Sequence, residues 1–188
     1  MMRLIIFFNL IFFTSCVGFH YTEINEANSI RPNNPNVFKF KKASFRNSDK
    51  SLVDFNSIYL IDSQNYQSKI SPIQRQNNNF FRFFAGGQVL HVYSKSMPQI
   101  ERINNKNVGI PGYFFIRDNK IRIELLDENN GGQLSFQFGE ILKNGDIMLY
   151  DINTRSSNKS FKKLEKRERK TYWKRNQIPE IIGYIPNW

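Results

Sequence analysis

The chain has 188 residues, which is enough for one domain with extensions and short for two. Its single cysteine, Cys16, excludes an intramolecular disulfide, and one cysteine with two histidines excludes a His/Cys zinc or copper cluster. The formal net charge of +11 favours anionic partners and says nothing about the fold.

Residues 1–15 have the organisation of a secretory signal peptide. A short cationic start precedes the largely apolar run Leu4–Phe13, and Thr14 and Ser15 lead into Cys16. The run has about half of the ~20 apolar residues that cross a hydrocarbon core, so we expect cleavage rather than a spanning helix. An ordinary secreted protein, in which Cys16 is incidental, is the alternative.

The end of this segment resembles the lipobox of bacterial lipoproteins, in which a small pair precedes a cysteine that is acylated and becomes the new N-terminus. Phe13 stands where the lipobox usually has Leu. The resemblance implies lipidation of Cys16 and membrane contact through that lipid. Val17 is not the Asp that commonly retains such proteins at the inner membrane, so the resemblance also implies an outer-membrane location facing the periplasm.

Residues 16–50 are predicted to form a disordered, lipid-anchored tether. The segment is rich in Asn, Ser, Lys and Pro and has no sustained period of two or 3.6 residues. Three aromatic residues, Phe38, Phe40 and Phe45, leave open an additional strand at the edge of the following domain.

From Leu52 the sequence pattern changes to short strands. Phe80–Phe84 and Val89–Tyr93 flank Gly86-Gly87, and a glycine pair between two such runs indicates a hairpin. Ser94–Pro111 is less regular, and within it we expect a short helix or lid over Met97–Ile103, after Pro98.

Two further hairpins are predicted from alternating runs and turn residues: Gly112–Arg117 with Lys120–Leu126 about Asp118-Asn119, and Gln133–Leu142 with Ile147–Asn153 about Lys143–Asp146. In the first of them Arg122 and Glu124 lie on a face that we expect to be solvated. Lys159–Leu164 is the predicted eighth strand. Roughly eight short strands, joined neighbour to neighbour, predict an all-β antiparallel meander over residues 51–165, most economically closed into a barrel.

Three segments carry a resemblance to a known family: Phe81–Val89, Gly112–Ile121 and Lys143–Ile147. Their succession of strands and turns resembles the small lipocalin-like lipoproteins of Gram-negative bacteria, over about residues 57–164. The resemblance implies a lipocalin-like barrel and no particular ligand, and the Gly-x-Trp signature of true lipocalins is absent.

An eight-stranded barrel either fills itself with side chains or holds one small ligand. Five phenylalanines are the inward candidates: Phe81, Phe83, Phe114, Phe136 and Phe138. They favour a filled core. The alternative is an open barrel that carries a small apolar ligand.

A basic segment follows the strands. Residues 155–175 contain ten Lys or Arg against two Glu. Six of these cations form a predicted anion-binding patch: Lys162, Lys163, Lys166, Arg167, Arg169 and Lys170. Its expected partners are anionic lipid or an envelope protein, and a merely solvated surface is the alternative. Because an exported protein does not meet cellular nucleic acid, we expect no nucleic-acid partner.

Residues 166–188 form a basic and aromatic C-terminal extension. Its last part carries Ile181, Ile182, Tyr184, Ile185 and Trp188. Because a free tail would expose this apolar surface to water, we expect it to pack back onto the domain.

No combination of residues predicts catalysis, a cofactor or a metal site. His91 shares a strand face with Val89 and Tyr93, which is typical of a satisfied core or rim histidine. Asp127 and Glu128 lie in a loop without the ligand spacing of an EF-hand. The sequence therefore predicts a non-catalytic, lipid-anchored envelope lipoprotein. The two alternatives are a carrier of a small apolar ligand, and an interaction partner or inhibitor of another envelope protein that uses the basic segment.

Overall fold

The structure is a computed structural model that describes residues 21–24, 29–42, 49–62, 78–127, 132–150, 155–166 and 169–188. The predicted signal peptide, residues 1–15, and the predicted lipidation site, Cys16, lie outside the described residues. Within the described ranges no helix has the length and apolar character needed to cross a bilayer.

The domain is a closed barrel of antiparallel strands, each paired with its neighbours in the chain. The strands are β3 (Ser57–Ile61), β4 (Phe80–Phe83), β5 (Gln88–Val92), β6 (Ile110–Arg117), β7 (Lys120–Asp127), β8 (Gln133–Ile141), β9 (Ile147–Tyr150) and β10 (Lys170–Gln177). The last strand pairs with both β9 and β3, which closes the barrel. The predicted all-β meander of about eight strands is confirmed.

Short elements surround this barrel in the described part of the chain. Strands β1 (Tyr21–Ile24) and β2 (Ser29–Pro32) form a separate antiparallel hairpin. Single 3-10 turns occupy Pro35–Val37 and Lys50–Leu52, and two short helices are α1 (Ile100–Asn104) and α2 (Phe161–Leu164). Helix α1 overlaps the stretch Met97–Ile103, for which a short helix or lid was expected.

Two of the predicted hairpin turns use glycine as expected. Gly87 between β4 and β5 has a φ of 88°, and Gly145 between β8 and β9 has a φ of 85°. Both angles lie in the left-handed region that other L-residues rarely adopt. These turns therefore set the strand order locally.

The prediction that Lys159–Leu164 is the eighth strand is wrong. Phe161–Leu164 forms α2, and the closing strand is β10, further along the chain. In β10 only every second residue faces the barrel interior, and charged side chains interrupt its apolar pattern. Its place is decided by barrel closure, because β3 and β9 each leave a strand edge that needs a partner.

The barrel interior is filled by apolar and aromatic side chains from every strand and by Val53, from the turn before β3. Phe83 lies at the centre of an aromatic cluster, with ring centroids 5.2 Å from Tyr59 and 5.0 Å from Phe114. Phe81, Phe83 and Phe114 are at most 1% exposed, so three of the five predicted inward phenylalanines are inside.

The prediction that Phe136 and Phe138 point into the barrel is wrong, because both lie on its outer face. The ring of Phe40 covers Phe136 at 5.5 Å, and the ring of Phe161 lies 6.0 Å from Phe138. Both residues are fully buried all the same. Alternation predicts which residues share a face, but it cannot identify the inner face where both faces are covered.

The outer face is covered by segments from both ends of the described chain. Ile30, Phe38 and Phe40 from the N-terminal side join one buried cluster with Trp188 from the C-terminal side. Part of the predicted tether, residues 29–42, therefore contacts the barrel. Residues 178–188 pack back onto the domain, as their apolar content predicts, and we call this segment the C-terminal tail.

Candidate functional site

The predicted anion-binding patch is centred on α2. Lys162, Lys163 and Lys166 have exposed side chains, and so has Arg169 just before β10. Lys170 is half-buried, with its Nζ 6.0 Å from the ring centroid of Tyr150. Arg167 lies outside the described residues.

Helix α2 is attached to the barrel wall by its apolar residues. Leu164 is buried, and the ring of Phe161 packs on the outer face against Phe138. The guanidinium carbon of Arg122 lies 5.3 Å from the Phe161 ring centroid, and the Nζ of Lys120 lies 5.7 Å from it. The fold therefore brings two cations of β7 to the patch, which sequence reasoning missed.

Carboxylates neutralise part of this surface. The Nζ of Lys120 donates to Glu140 at 2.6 Å and to Glu165 at 2.9 Å. Burial lowers the pKa of Lys120, but these hydrogen bonds outweigh it and hold the pKa above its usual value. Tyr150 also donates to Glu140, at a short distance. Lys120 is therefore compensated by its own acids and does not add net positive charge.

Arg122 is different from Lys120. Burial lowers the pKa of Arg122, and the nearby positive charge of Arg117 lowers it further. None of the salt bridges found among the described residues involves Arg122. The uncompensated cations of this surface, which we call the α2 basic surface, are Arg122, Lys162, Lys163, Lys166 and Arg169. Four of these groups are exposed and Arg122 is half-buried. Such an array of ammonium and guanidinium groups suits anionic headgroups or an acidic protein surface.

Glu124 is the second group that sequence reasoning missed. It was expected on a solvated face, but its side chain is fully buried on the outer side of β7. One carboxylate oxygen accepts a hydrogen bond from the Phe40 N–H at 2.6 Å, and the other accepts from the Lys39 N–H at 3.0 Å. Burial raises the pKa of Glu124 to about 7, although these hydrogen bonds oppose the shift. Glu124 thus anchors the N-terminal segment to the barrel wall.

His91 lies inside one end of the barrel. It stacks on Phe81 with a centroid distance of 4.6 Å and meets Trp173 edge-on at 5.6 Å. Burial lowers its pKa to about 4, so the imidazole is neutral at neutral pH. The predicted core position is therefore correct, but the histidine is not fully satisfied, because its Nε2 has no hydrogen-bond partner in the described structure.

In the described ranges of the chain, no three His, Cys, Asp or Glu side chains lie close enough together to hold a metal ion. Asp127 ends β7, and Glu128 lies outside the described residues. An open depression of about 490 Å³ lies outside the barrel, at the end that Val53 closes, between residues 50–56 and Arg175. Its polar lining consists of Lys50, Ser51, Asp54, Asn56 and Arg175.

Comparison with family models, with curated proteins and with solved structures finds no match. The resemblance to lipocalin-like lipoproteins therefore stays a prediction from the residues that carry it.

Proposed function

We propose that the protein is a non-catalytic lipoprotein of the cell envelope, anchored through Cys16 to the periplasmic side of the outer membrane, which uses the α2 basic surface to contact anionic lipid headgroups. The observation that supports this function is that Arg122 of β7 contacts Phe161 of α2, the helix that carries Lys162 and Lys163. Lys166 and Arg169 are exposed just after that helix. The anchor itself is supported by the sequence of residues 1–16 alone.

The acyl anchor and the basic surface have different roles in this proposal. Acyl chains contribute about 0.8 kcal/mol for each CH₂ group that they bury, so two or three chains dominate retention. Each Lys or Arg near an anionic surface contributes about 1 kcal/mol at low salt. The basic surface therefore orients the barrel on the membrane rather than holding it there.

The interior of the barrel supports this function over the carrier alternative. A site for a small apolar molecule requires a cavity of about 300 Å³ or more. The interior instead contains large side chains such as Tyr59, Phe83 and Phe114, which are at most 1% exposed and contact one another.

Mass spectrometry tests the anchor directly. The protein purified from a Gram-negative host should begin at Cys16 and carry the mass of the acyl modification, and Cys16→Ala should abolish the modification. An unmodified thiol on a membrane-fractionated protein would contradict the proposal.

Vesicle binding tests the basic surface. In a Cys16→Ala background, which removes the acylation site, Lys162, Lys163 and Lys166 are replaced together by Gln. Binding to vesicles that contain phosphatidylglycerol should weaken by about 3 kcal/mol, or roughly a hundredfold, at low salt.

The matched control replaces three exposed lysines that lie elsewhere: Lys95, Lys106 and Lys143. This control variant removes the same formal charge as the α2 variant. An equal loss of binding in both would show that only the net charge of the protein matters, and it would contradict the proposed surface. Binding that is unchanged in the α2 variant would contradict it as well. Neutral phosphatidylcholine vesicles should bind none of the variants.

A further inference from the structure

Two arginines lie beneath the C-terminal tail. They are separate from the α2 basic surface, because β4, which carries one of them, is not a neighbour of β7 in the barrel. Arg82, on the outer face of β4, is only 1% exposed. Its NH1 donates to the Ile103 carbonyl at a short distance, and its NH2 donates to the Ile182 carbonyl at 2.6 Å. The buried guanidinium thus joins α1 to the tail.

Arg31, in β2, approaches the same region. Its NH1 donates to the carbonyls of Ile30 at 2.6 Å and Gly109 at 3.1 Å, and its NH2 donates to the Lys106 carbonyl at a short distance. The guanidinium carbon lies 4.7 Å from the ring centroid of Trp188. The guanidinium of Arg31 therefore packs on the ring of Trp188, in the C-terminal tail.

Neither guanidinium has a carboxylate partner in the described part of the chain. The salt bridges there involve Lys120 and Lys174 only, and every acceptor found for Arg31 and Arg82 is a neutral carbonyl. Burial lowers the pKa of Arg31 to about 10 and lowers the pKa of Arg82 as well. A guanidinium nevertheless stays protonated in proteins. A half-buried positive charge on Arg31 and a buried one on Arg82 are costly unless an anion joins them.

Hydrogen-bond donors remain unused at the same place. Tyr184 lies 4.9 Å from the Arg82 guanidinium carbon, measured to its ring centroid, and its phenol interacts electrostatically with Arg31 as well. The Tyr184 hydroxyl, the Trp188 Nε1–H and the Arg82 Nε–H are buried and have no partner within the described residues. Tyr184 and Trp188 both pack on Phe84, at 5.3 and 6.4 Å between ring centroids.

We propose that this cluster, which we define as Arg31, Arg82, Tyr184 and Trp188, binds a phosphate group. A site with two fixed positive charges and three free donors requires a ligand that is anionic and rich in acceptors. A phosphate dianion matches the charge, and its oxygens accept from guanidinium, phenol and indole donors together. The group belongs either to free phosphate or to the headgroup of a lipid.

The tail controls access to this site. Asn104 holds it by accepting from the Ile182 N–H at 2.9 Å and donating to the Glu180 carbonyl at 3.1 Å. Ile182 and Ile185 are 59% and 66% exposed, so these two side chains lose little burial when the tail shifts. A phosphate that binds Tyr184 and Trp188 holds the tail against the barrel. Phosphate binding and the packing of the tail on the barrel therefore stabilise each other.

The test uses the full chain in nonionic detergent and two probes: inorganic phosphate and a short-chain phosphatidic acid. A bound probe should raise the thermal unfolding midpoint and change tryptophan fluorescence in a saturable manner, relative to sodium chloride at equal ionic strength. An effect of inorganic phosphate identifies the free ion as sufficient, and an effect of the lipid alone identifies the headgroup. If neither probe has a saturable effect, the proposal is overturned.

Two variants localise the binding. Tyr184→Phe removes one donor and keeps the ring, so we expect roughly tenfold weaker binding of the effective probe. Arg31→Gln removes a half-buried charge and should weaken binding at least as much. Tyr172→Phe, on the outer face of β10, is the matched control and should bind like the wild type. Wild-type affinity in both Tyr184→Phe and Arg31→Gln would overturn the assignment.

Discussion

The inner and outer faces of the barrel are both buried, but they are built differently. Inside, the contacts are mainly between apolar and aromatic side chains. Outside, Arg82, Gln88 and Glu124 are buried and hydrogen-bond to backbone groups 84 to 100 residues away in the chain. The apolar contacts of the inner face stabilise the barrel. The hydrogen bonds of the outer face determine which segments of the chain bind to it. Function is therefore expected on the outer face, where polar groups and chain ends meet.

Among the changes that distinguish the two faces, removing an aromatic ring from the barrel interior should have the largest effect on stability. Phe83→Ala leaves a cavity among the rings of Tyr59, Phe81 and Phe114, so it should lower the free energy of unfolding by about 3–5 kcal/mol. Phe136→Ala, on the outer face, should cost less, about 2–3 kcal/mol, because the covering segment can settle into the space. Urea unfolding of both variants measures the difference. An equal or reversed order would contradict the distinction between the two faces.

Glu124 gives the outer face a pH dependence. Because its pKa is raised to about 7 in the folded state, its contribution to stability is fully present below about pH 4.5 and is lost as the pH rises through 7. The loss amounts to about 3 kcal/mol. Denaturant unfolding at several pH values should show this slope, and Glu124→Gln should remove it. An unchanged slope in the variant would assign the pH dependence to other groups.

His91 gives the inner face a dependence of the opposite sign. Its pKa is lowered to about 4, so its contribution to stability is present above about pH 6.5 and is lost as the pH falls through 4. The size is again about 3 kcal/mol. His91→Phe keeps an aromatic ring among Phe81 and Trp173 and should flatten the acid limb of the stability profile. A variant as acid-sensitive as the wild type would show that the buried imidazole is not the cause.

The smallest predicted effect concerns the tail. The Tyr113 hydroxyl donates to the main-chain oxygen of Trp188 at 2.6 Å. Tyr113→Phe removes this hydrogen bond and should destabilise the packing of the tail on the barrel by about 1 kcal/mol. Hydrogen exchange should then become faster in residues 178–188 and stay unchanged in the barrel strands. Faster exchange throughout the barrel would mean that the tail is not an independent layer.

Part of the candidate site could be predicted from the sequence. Charge counting alone identified Lys162, Lys163 and Lys166, and the structure places their side chains on one exposed turn. Arg122 was not identified, because it precedes them by about forty residues and joins them only where Phe161 packs on the barrel wall. The cluster of Arg31 and Arg82 was missed for the same reason, since its members come from separate elements.

Turn chemistry and alternation act between near neighbours in the chain, so they were enough to predict the all-β class, the hairpins at Gly87 and Gly145 and the return of the apolar tail. They could not predict that β10 closes the barrel, that Phe136 faces outward or that Glu124 is buried. These features depend on barrel closure and on which segments cover each face, and both are set by contacts between residues far apart in the sequence.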